Sequence, residues 1–314
     1  TGAAVQVNTA AGGRSFWKQL RKQKTLVLMA LLPVIMVIIF KYIPMYGILI
    51  AFKNYKSAKG VWGSKWLDPL FKNFITFFKN VNCWQIIWNT FRVGALTLLF
   101  TFPAPIIFAV LLNELRGKTY KKVVQTVSYI PHFISVVVIC SMLNGFGSTS
   151  GLFNDIRELL GMARVDMNNG SKYFLLMYVG SAVWQGIGWG SIMYLSALSN
   201  VDTSLYDVAN IDGANRWKKI LHVTLPGISP TIVILLIMRI GNMMTLGWDK
   251  ILLLYNPMVY EKADVISTYV YRIGLMNFEY SFAAAVGFFN SIINFILLIL
   301  ANSVSRKVNE TSLW

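Results

Sequence analysis

Hydrophobic positions along this chain come in long runs rather than in alternating or one-sided stripes. Leu26 to Phe40 is apolar and continues past Lys41 to Gly47. Val93 to Asn113, Val123 to Asn154, Tyr173 to Val201 and Tyr280 to Ser305 contain no Asp, Glu, Lys or Arg. Val223 to Met238 is apolar, and only Arg239 interrupts it before Trp248. A helix that crosses a bilayer needs about 20 apolar residues, because lipid offers its backbone no hydrogen-bond partner. The runs therefore predict an all-α integral membrane protein with six transmembrane helices, at 26–44, 90–113, 123–144, 174–198, 225–246 and 283–304.

Composition agrees with that pattern and removes its competitors. Of 314 residues, 55% are hydrophobic and 13% charged, with a net charge of +16. Soluble domains carry about 25% charged residues. A nucleic-acid-binding protein can be as basic, but not with a mean hydropathy of +0.55. The first run is too long for a cleaved signal peptide, and no small-x-small site follows it. Thr1 to Gly13 reads as a disordered leader or an expression remnant.

Charge then sets the orientation. With the N-terminus inside, the inner segments 1–24, 114–122, 199–224 and 304–314 hold 14 Lys and Arg in about 70 residues. The outer loops hold 12 in about 108. The bias predicts N-in and C-in, with a cytoplasmic segment 1–24, a permeation domain 25–305 and a cytoplasmic tail 306–314. Lys53 to Lys79 makes the first outer loop basic as well, which the bias does not explain.

Catalytic motifs are missing from the sequence. Arg116-Gly-Lys-Thr119 contains the last residues of a phosphate loop, but Leu112 stands where its first glycine belongs. There is no Gly-x-Ser-x-Gly elbow and no carboxylate pair within a span. Two cysteines and two distant histidines, His132 and His222, give neither a disulfide framework nor a metal site.

The informative loop runs from Asp202 to Pro226. Ser204-x-x-Asp207 predicts a capping box that opens a short helix. Gly213 predicts a bend. A second helix then places Trp217, Ile220 and Leu221 on one face, with Arg216, Lys218 and Lys219 off it. By composition the loop reads equally well as a docking face or as a helix anchored among headgroups.

Asp207-Val-Ala209, Asp212-Gly-Ala214, Trp217 and Leu225-Pro226 resemble the cytoplasmic loop signature of permease subunits in binding-protein-dependent ABC importers, roughly E-A-A-x-x-x-G-A, an aromatic, then I-x-L-P. Tyr42-Ile-Pro-Met-Tyr-Gly47, Ala51-Phe-Lys-Asn-Tyr55, Phe102-Pro-Ala-Pro105, Leu112-Asn-Glu-Leu-Arg116, Tyr129-Ile-Pro-His-Phe133, Leu252-Leu-Leu-Tyr-Asn-Pro257 and Ser312-Leu-Trp314 are similar to LplB-type carbohydrate permeases. The likeness runs from about residue 15 to the end. It implies a type I importer permease fold in a bacterial cell membrane. It also implies a second permease, two cytoplasmic ATPases that bind the ATP and Mg, an external solute-binding protein and a saccharide substrate. The chain itself would hold no cofactor or metal. Carried over, Asp207, Ala209, Asp212, Gly213, Ala214, Trp217, Leu225 and Pro226 form the ATPase-coupling surface. Asp207 replaces the family's Glu and Val208 its Ala, which leaves the docking contacts open.

A polar path must run through the apolar spans. Trp184, Gln185 and Gly188 in span four, Arg239 and Asn242 in span five, and Asn290 and Asn294 in span six are its candidates at helical spacing. The competing reading for each is helix–helix packing. An aromatic beside an amide suits a saccharide, since the ring stacks on C–H faces while the amide serves hydroxyls. A secondary transporter, a permease for a solute other than sugar and an enzyme on lipid-linked sugars are the alternative functions. Against the first stands the lack of an inverted repeat and of an intramembrane carboxylate.

Overall fold

The protein is described by a computed structural model covering residues 23–115, 117–309 and 312. Thr1–Gly13, the basic residues Arg14, Lys18, Arg21, Lys22 and Arg116, and Leu313-Trp314 lie outside the described residues.

The long apolar runs form helices because lipid leaves their peptide groups no other partner. α1 (Lys24–Val37) passes through a π turn (Ile38–Tyr42) and a 3-10 segment (Tyr46–Phe52) to make one rod over 24–52. No residue of its most apolar stretch is buried, and Tyr46–Phe52 packs against the last helix, Tyr280–Asn309. α2 (Lys72–Lys79) follows a short connection. α3 (Cys83–Thr101) and α4 (Pro103–Glu114) then run on at Pro103, whose missing N–H is harmless at a helix start.

α5 (Lys118–Tyr129), a 3-10 turn (Ile130–Phe133), α6 (Val136–Gly147) and α7 (Leu152–Leu159) come next. α8 (Ser171–Leu198) is the central helix and packs on α3, α4 and α5. α9 (Thr203–Ile211) and α10 (Arg216–Lys219) turn back into α11 (Leu225–Gly241). Three short helices, α12 (Trp248–Leu254), α13 (Tyr260–Ala263) and α14 (Ile266–Tyr271), precede the long α15 (Tyr280–Asn309).

Among the described residues, five helices are long and apolar enough to cross a membrane: Lys24–Phe52, Cys83–Glu114, Val136–Leu159, Arg216–Gly241 and Tyr280–Lys307. α8, at 28 residues, has the length, but its Ser, Gly, Trp, Tyr and Gln residues make it less apolar.

Three expectations need correction. The third run is not one helix over 123–144. It breaks at 130–135, where Pro131 removes a backbone donor, and the Gln185 side-chain amide donates to the Ile134 carbonyl at 3.3 Å. The fifth helix ends at Gly241 rather than 246, and a turn follows. Nor is the structure wholly helical: β1 (Lys53–Asn54) pairs antiparallel with β2 (Lys65–Trp66) in a two-residue ribbon.

The chain direction places the 199–224 loop at one end of the bundle with the beginning of α1 and the end of α15. Segments 53–82, 148–170 and 242–279 gather at the other end. Ala109, Tyr194, Leu198 and Ile228 form the core near the first end. Two larger cores, one around Val93, Phe174 and Ile251 and one around Phe77, Met244 and Ile266, occupy the second.

Candidate functional site

The 199–227 hairpin is built from local hydrogen bonds. The Asp202 carboxylate accepts from the Ser204 N–H at 2.9 Å and caps α9. The expected capping box on Ser204 is therefore displaced by two residues: Ser204 is already inside the helix, and the carboxylate ahead of it takes the free donor. That bond, with the Ser204 hydroxyl, holds the Asp202 carboxyl below the usual carboxylate range.

At the far end of α9 the N–H of Gly213 donates to the Asn210 carbonyl, and that of Ala214 to Ala209. Gly213 has φ +67, a left-handed conformation that side chains resist, so the expected bend is present and glycine is its cause. The Asn215 carboxamide oxygen caps α10 by accepting from the Lys218 N–H. Lys219 Nζ reaches back to Asn210 Oδ1 at 2.7 Å, and the Tyr206 hydroxyl meets Thr224 Oγ1 at 3.0 Å.

These ties leave a groove of about 510 Å³ between the two arms. Of the residues expected there, Ala209, Asp212, Ala214 and Pro226 line it. Gly213 shapes it. Asp207 and Trp217 are exposed outside its lining, Trp217 by 70%. Leu225 instead packs into the bundle beside Ala109, Tyr194 and Leu198. Leu205, Val208, Lys218 and His222 also line the groove, although the sequence did not place them among the coupling residues. Positions 205, 208, 209 and 212 lie at helical spacing, a signal that could have found the first two. Leu205, Val208 and Ile211 are exposed, Ile211 by 85%, so the hairpin carries an uncovered apolar face.

The residues proposed for the path fall into two groups. Gly188 sits against α5, where a Cβ would come within 2.1 Å of the Ser128 carbonyl oxygen, and Gln185 patches the break after that helix. Asn290 and Asn294 clamp the turn beyond α11. Asn294 Oδ1 accepts from the Met244 N–H at 3.0 Å and its amide donates to Thr245 Oγ1, while the Asn290 amide donates to the Met244 carbonyl. All four therefore make packing or backbone contacts. Trp184, Arg239 and Asn242 are exposed, and the Asn242 amide turns back onto the Met238 carbonyl. Trp184 lines an apolar cavity of about 470 Å³ with Met142, Phe146 and Met177. The structure does not bring the seven together at one site.

Residues 101–310 match the model of the binding-protein-dependent transport system inner membrane component family. The chain belongs to that family. It is 38% identical to Protein LplB of Bacillus subtilis (strain 168), over 98% of this chain and 96% of that protein. Identity is also 38% to the polygalacturonan/rhamnogalacturonan transport system permease protein YteP of the same organism, over 94% of this chain and 92% of that protein. A chain in the crystal structure of a bacterial alginate ABC transporter, in complex with an alginate pentasaccharide-bound periplasmic protein, superposes with a TM-score of 0.85. That match has 39% identity and covers 95% of this chain and 99% of that one.

As a member of this family the chain is a permease subunit of an ABC importer in the cell membrane, and it is not an enzyme. Among the described residues no three His, Cys, Asp or Glu cluster as metal ligands.

At the end of this permease opposite the hairpin, several polar groups are paired inside the chain. Burial opposes the charge of Arg272, but Asp264, bonded through both oxygens at 3.2 and 2.6 Å, holds its pKa above the ordinary value. The Asn89 amide donates to the Glu261 and Asp264 carbonyls, and Arg92 to that of Lys262. Lys250 is buried against the Tyr178 ring, and that burial lowers its pKa. Lys53 of the basic loop is also buried, donating to the Val61 carbonyl at 2.9 Å with its charge over the Trp66 ring. It belongs to the fold rather than to a basic surface.

Proposed function

We propose that this permease, with a second, similar one, forms the translocation pathway of an ATP-driven importer for an oligosaccharide or related saccharide. Two ATPases bind ATP and Mg on the cytoplasmic side, and a solute-binding protein delivers the saccharide outside. The chain crosses the membrane six times, N-in and C-in, with α8 as one of the spans. Residues 1–24 and 306–314 are cytoplasmic, and 25–305 form the permease domain.

The observation that carries this reading is the hairpin's exposed apolar face around the Gly213 bend. Leu205, Val208 and Ile211 lie outside the spans, where water makes their exposure unfavourable by about 1.5–3 kcal/mol for each full side chain left uncovered. Covering them against an ATPase removes that cost and gives the ATPase a rigid handle. Asp207, Ala209, Asp212, Ala214 and Trp217 join that contact, and Leu225 and Pro226 link the hairpin to α11. When the ATPases close, the two hairpins move together and the pathway changes the side to which it opens.

The saccharide class is supported by the names of the similar proteins, two of which concern alginate or polygalacturonan and rhamnogalacturonan. The exposed Lys56, Lys59, Lys65, Lys72 and Lys79 of the outer loop have the sign that favours an acidic saccharide or an acidic binding protein. Reconstitution tests the whole. The purified chain hydrolyses no ATP alone. With its ATPase, second permease and binding protein it supports hydrolysis and uptake that oligosaccharides stimulate. Equal stimulation by unrelated solutes, with no response to any saccharide, sinks the substrate assignment.

A further inference from the structure

The base of the hairpin holds a joint that the docking face does not use. α10 does not run straight into α11: Ile220–Thr224 is a π turn, in which the Leu225 N–H reaches five residues back to the Ile220 carbonyl. Pro226 favours such a turn. It has no N–H to give to the preceding turn, and in a regular α-helix its ring would press on the His222 carbonyl four residues back. Helices bend at π turns and at prolines, and π turns recur at functional sites. Left unfastened, this joint would let α11 swivel against the hairpin and absorb any displacement of α9 and α10.

Two hydroxyls fasten it. Thr224, the buried residue of the turn, is 1% exposed. Its hydroxyl donates to the Lys219 carbonyl at 3.3 Å, which leaves its oxygen to accept. The Tyr206 hydroxyl, from α9 and 18 residues away in sequence, supplies that second bond at 3.0 Å. The first arm is thereby tied to the turn that ends the second. Lys219 is tied in addition through Nζ to Asn210 Oδ1, near the end of α9. Neither Tyr206 nor Thr224 lines the groove between the arms. Their bond acts inside the hairpin rather than on its docking face.

We propose that Tyr206 and Thr224 are positioning residues of the importer's coupling step. Their hydroxyl pair locks the π turn, so that α9, α10 and the start of α11 move as one piece and displacement of the hairpin reaches the span. The assignment rests on the reading of the hairpin as the ATPase contact. Apolar packing alone, such as that of Leu225 against Ala109 and Leu198, fills space without fixing the geometry of the turn. A hydrogen-bonded pair fixes both distance and direction.

Tyr206→Phe tests this in the complete importer, reconstituted with its ATPases, second permease and binding protein, because it removes one hydroxyl and keeps the ring. Saccharide taken up per ATP hydrolysed falls about fivefold, the factor that one lost hydrogen bond supports. The ATPases still co-purify with the permease at the wild-type level, and hydrogen exchange of the 220–225 amides quickens. Thr224→Val lowers the ratio at least as far, Thr224→Ser restores it, and the double variant is no worse than Thr224→Val alone. A wild-type ratio in Tyr206→Phe, or a loss of ATPases as large as that caused by Val208→Asp with Ile211→Asp, overturns the lock and leaves the hairpin as the ATPase contact. Full ATPase retention and full uptake by Val208→Asp with Ile211→Asp overturn both.

Discussion

The two ends of the bundle solve the same problem in opposite ways. Segment 242–279 and its neighbours close on themselves: Asp264 pairs with Arg272, Asn89 and Arg92 bond carbonyls of 261–264, and Asn290 and Asn294 hold Met244. The 199–227 hairpin is stiffened by its own caps and by Lys219–Asn210, yet its apolar face stays uncovered. The difference lies in what holds each end: side chains from several helices meet at the first, whereas local caps within one hairpin hold the second. On the proposed reading the hairpin is one half of an interface with an ATPase.

The asymmetry can be broken most severely at the hairpin. Val208→Asp with Ile211→Asp buries charge in the proposed ATPase contact, at about 3 kcal/mol or a hundredfold in coupling. Uptake and stimulated ATP hydrolysis should fall by about that factor, while thermal stability of the solubilised permease stays within about 0.5 kcal/mol, as for surface changes. At the other end the pattern reverses. Asp264→Ala removes the carboxylate partner of Arg272 and one of the two acceptors of the Thr268 hydroxyl, lowering stability by about 2 kcal/mol, less than a fully buried pair because Arg272 keeps 26% of its side chain exposed. Thermal unfolding should show it, whereas ATPase binding should not change. Asn294→Leu leaves the Met244 N–H without its acceptor and costs about 1–2 kcal/mol by the same measurement.

The smallest effect belongs to the Asp202 cap. Its carboxyl is held below the ordinary value, so its contribution is present above about pH 4 and is lost as pH falls through the depressed pKa. Asp202→Asn keeps the cap and removes that pH dependence. Hydrogen exchange of the α9 amides between pH 3 and 6 would reveal both.

Most of the helical frame was legible because a bilayer permits so few alternatives. The rod at 24–52 and α15 contain the spans expected at 26–44 and 283–304, and both extend beyond them. The breaks were not legible. The break at Pro131 is repaired by Gln185, 51 residues away, and the turn after Gly241 is held by Asn290 and Asn294 from another helix. Such repairs depend on tertiary neighbours and leave no local pattern. At the hairpin, Gly213 could be read because its backbone requirement is local. Leu205 and Val208 share helical spacing with Ala209 and Asp212, whereas His222 could be placed at the groove only once both arms were in place. In the basic outer loop, Lys53 could not be told from its exposed neighbours for a similar reason, since it turns inward to a carbonyl and a tryptophan ring.

The central claim is that a rigid bend at Gly213 transmits ATPase movement to the pathway. It is tested most directly by comparing Gly213→Asn with Gly213→Val in the reconstituted importer. Asparagine tolerates φ +67 and valine does not, while neither Cβ meets an atom within 4 Å. The account predicts saccharide uptake near wild type for Gly213→Asn and its loss for Gly213→Val, with both variants inserted in the membrane at normal levels. Uptake by Gly213→Val at the wild-type rate would contradict it.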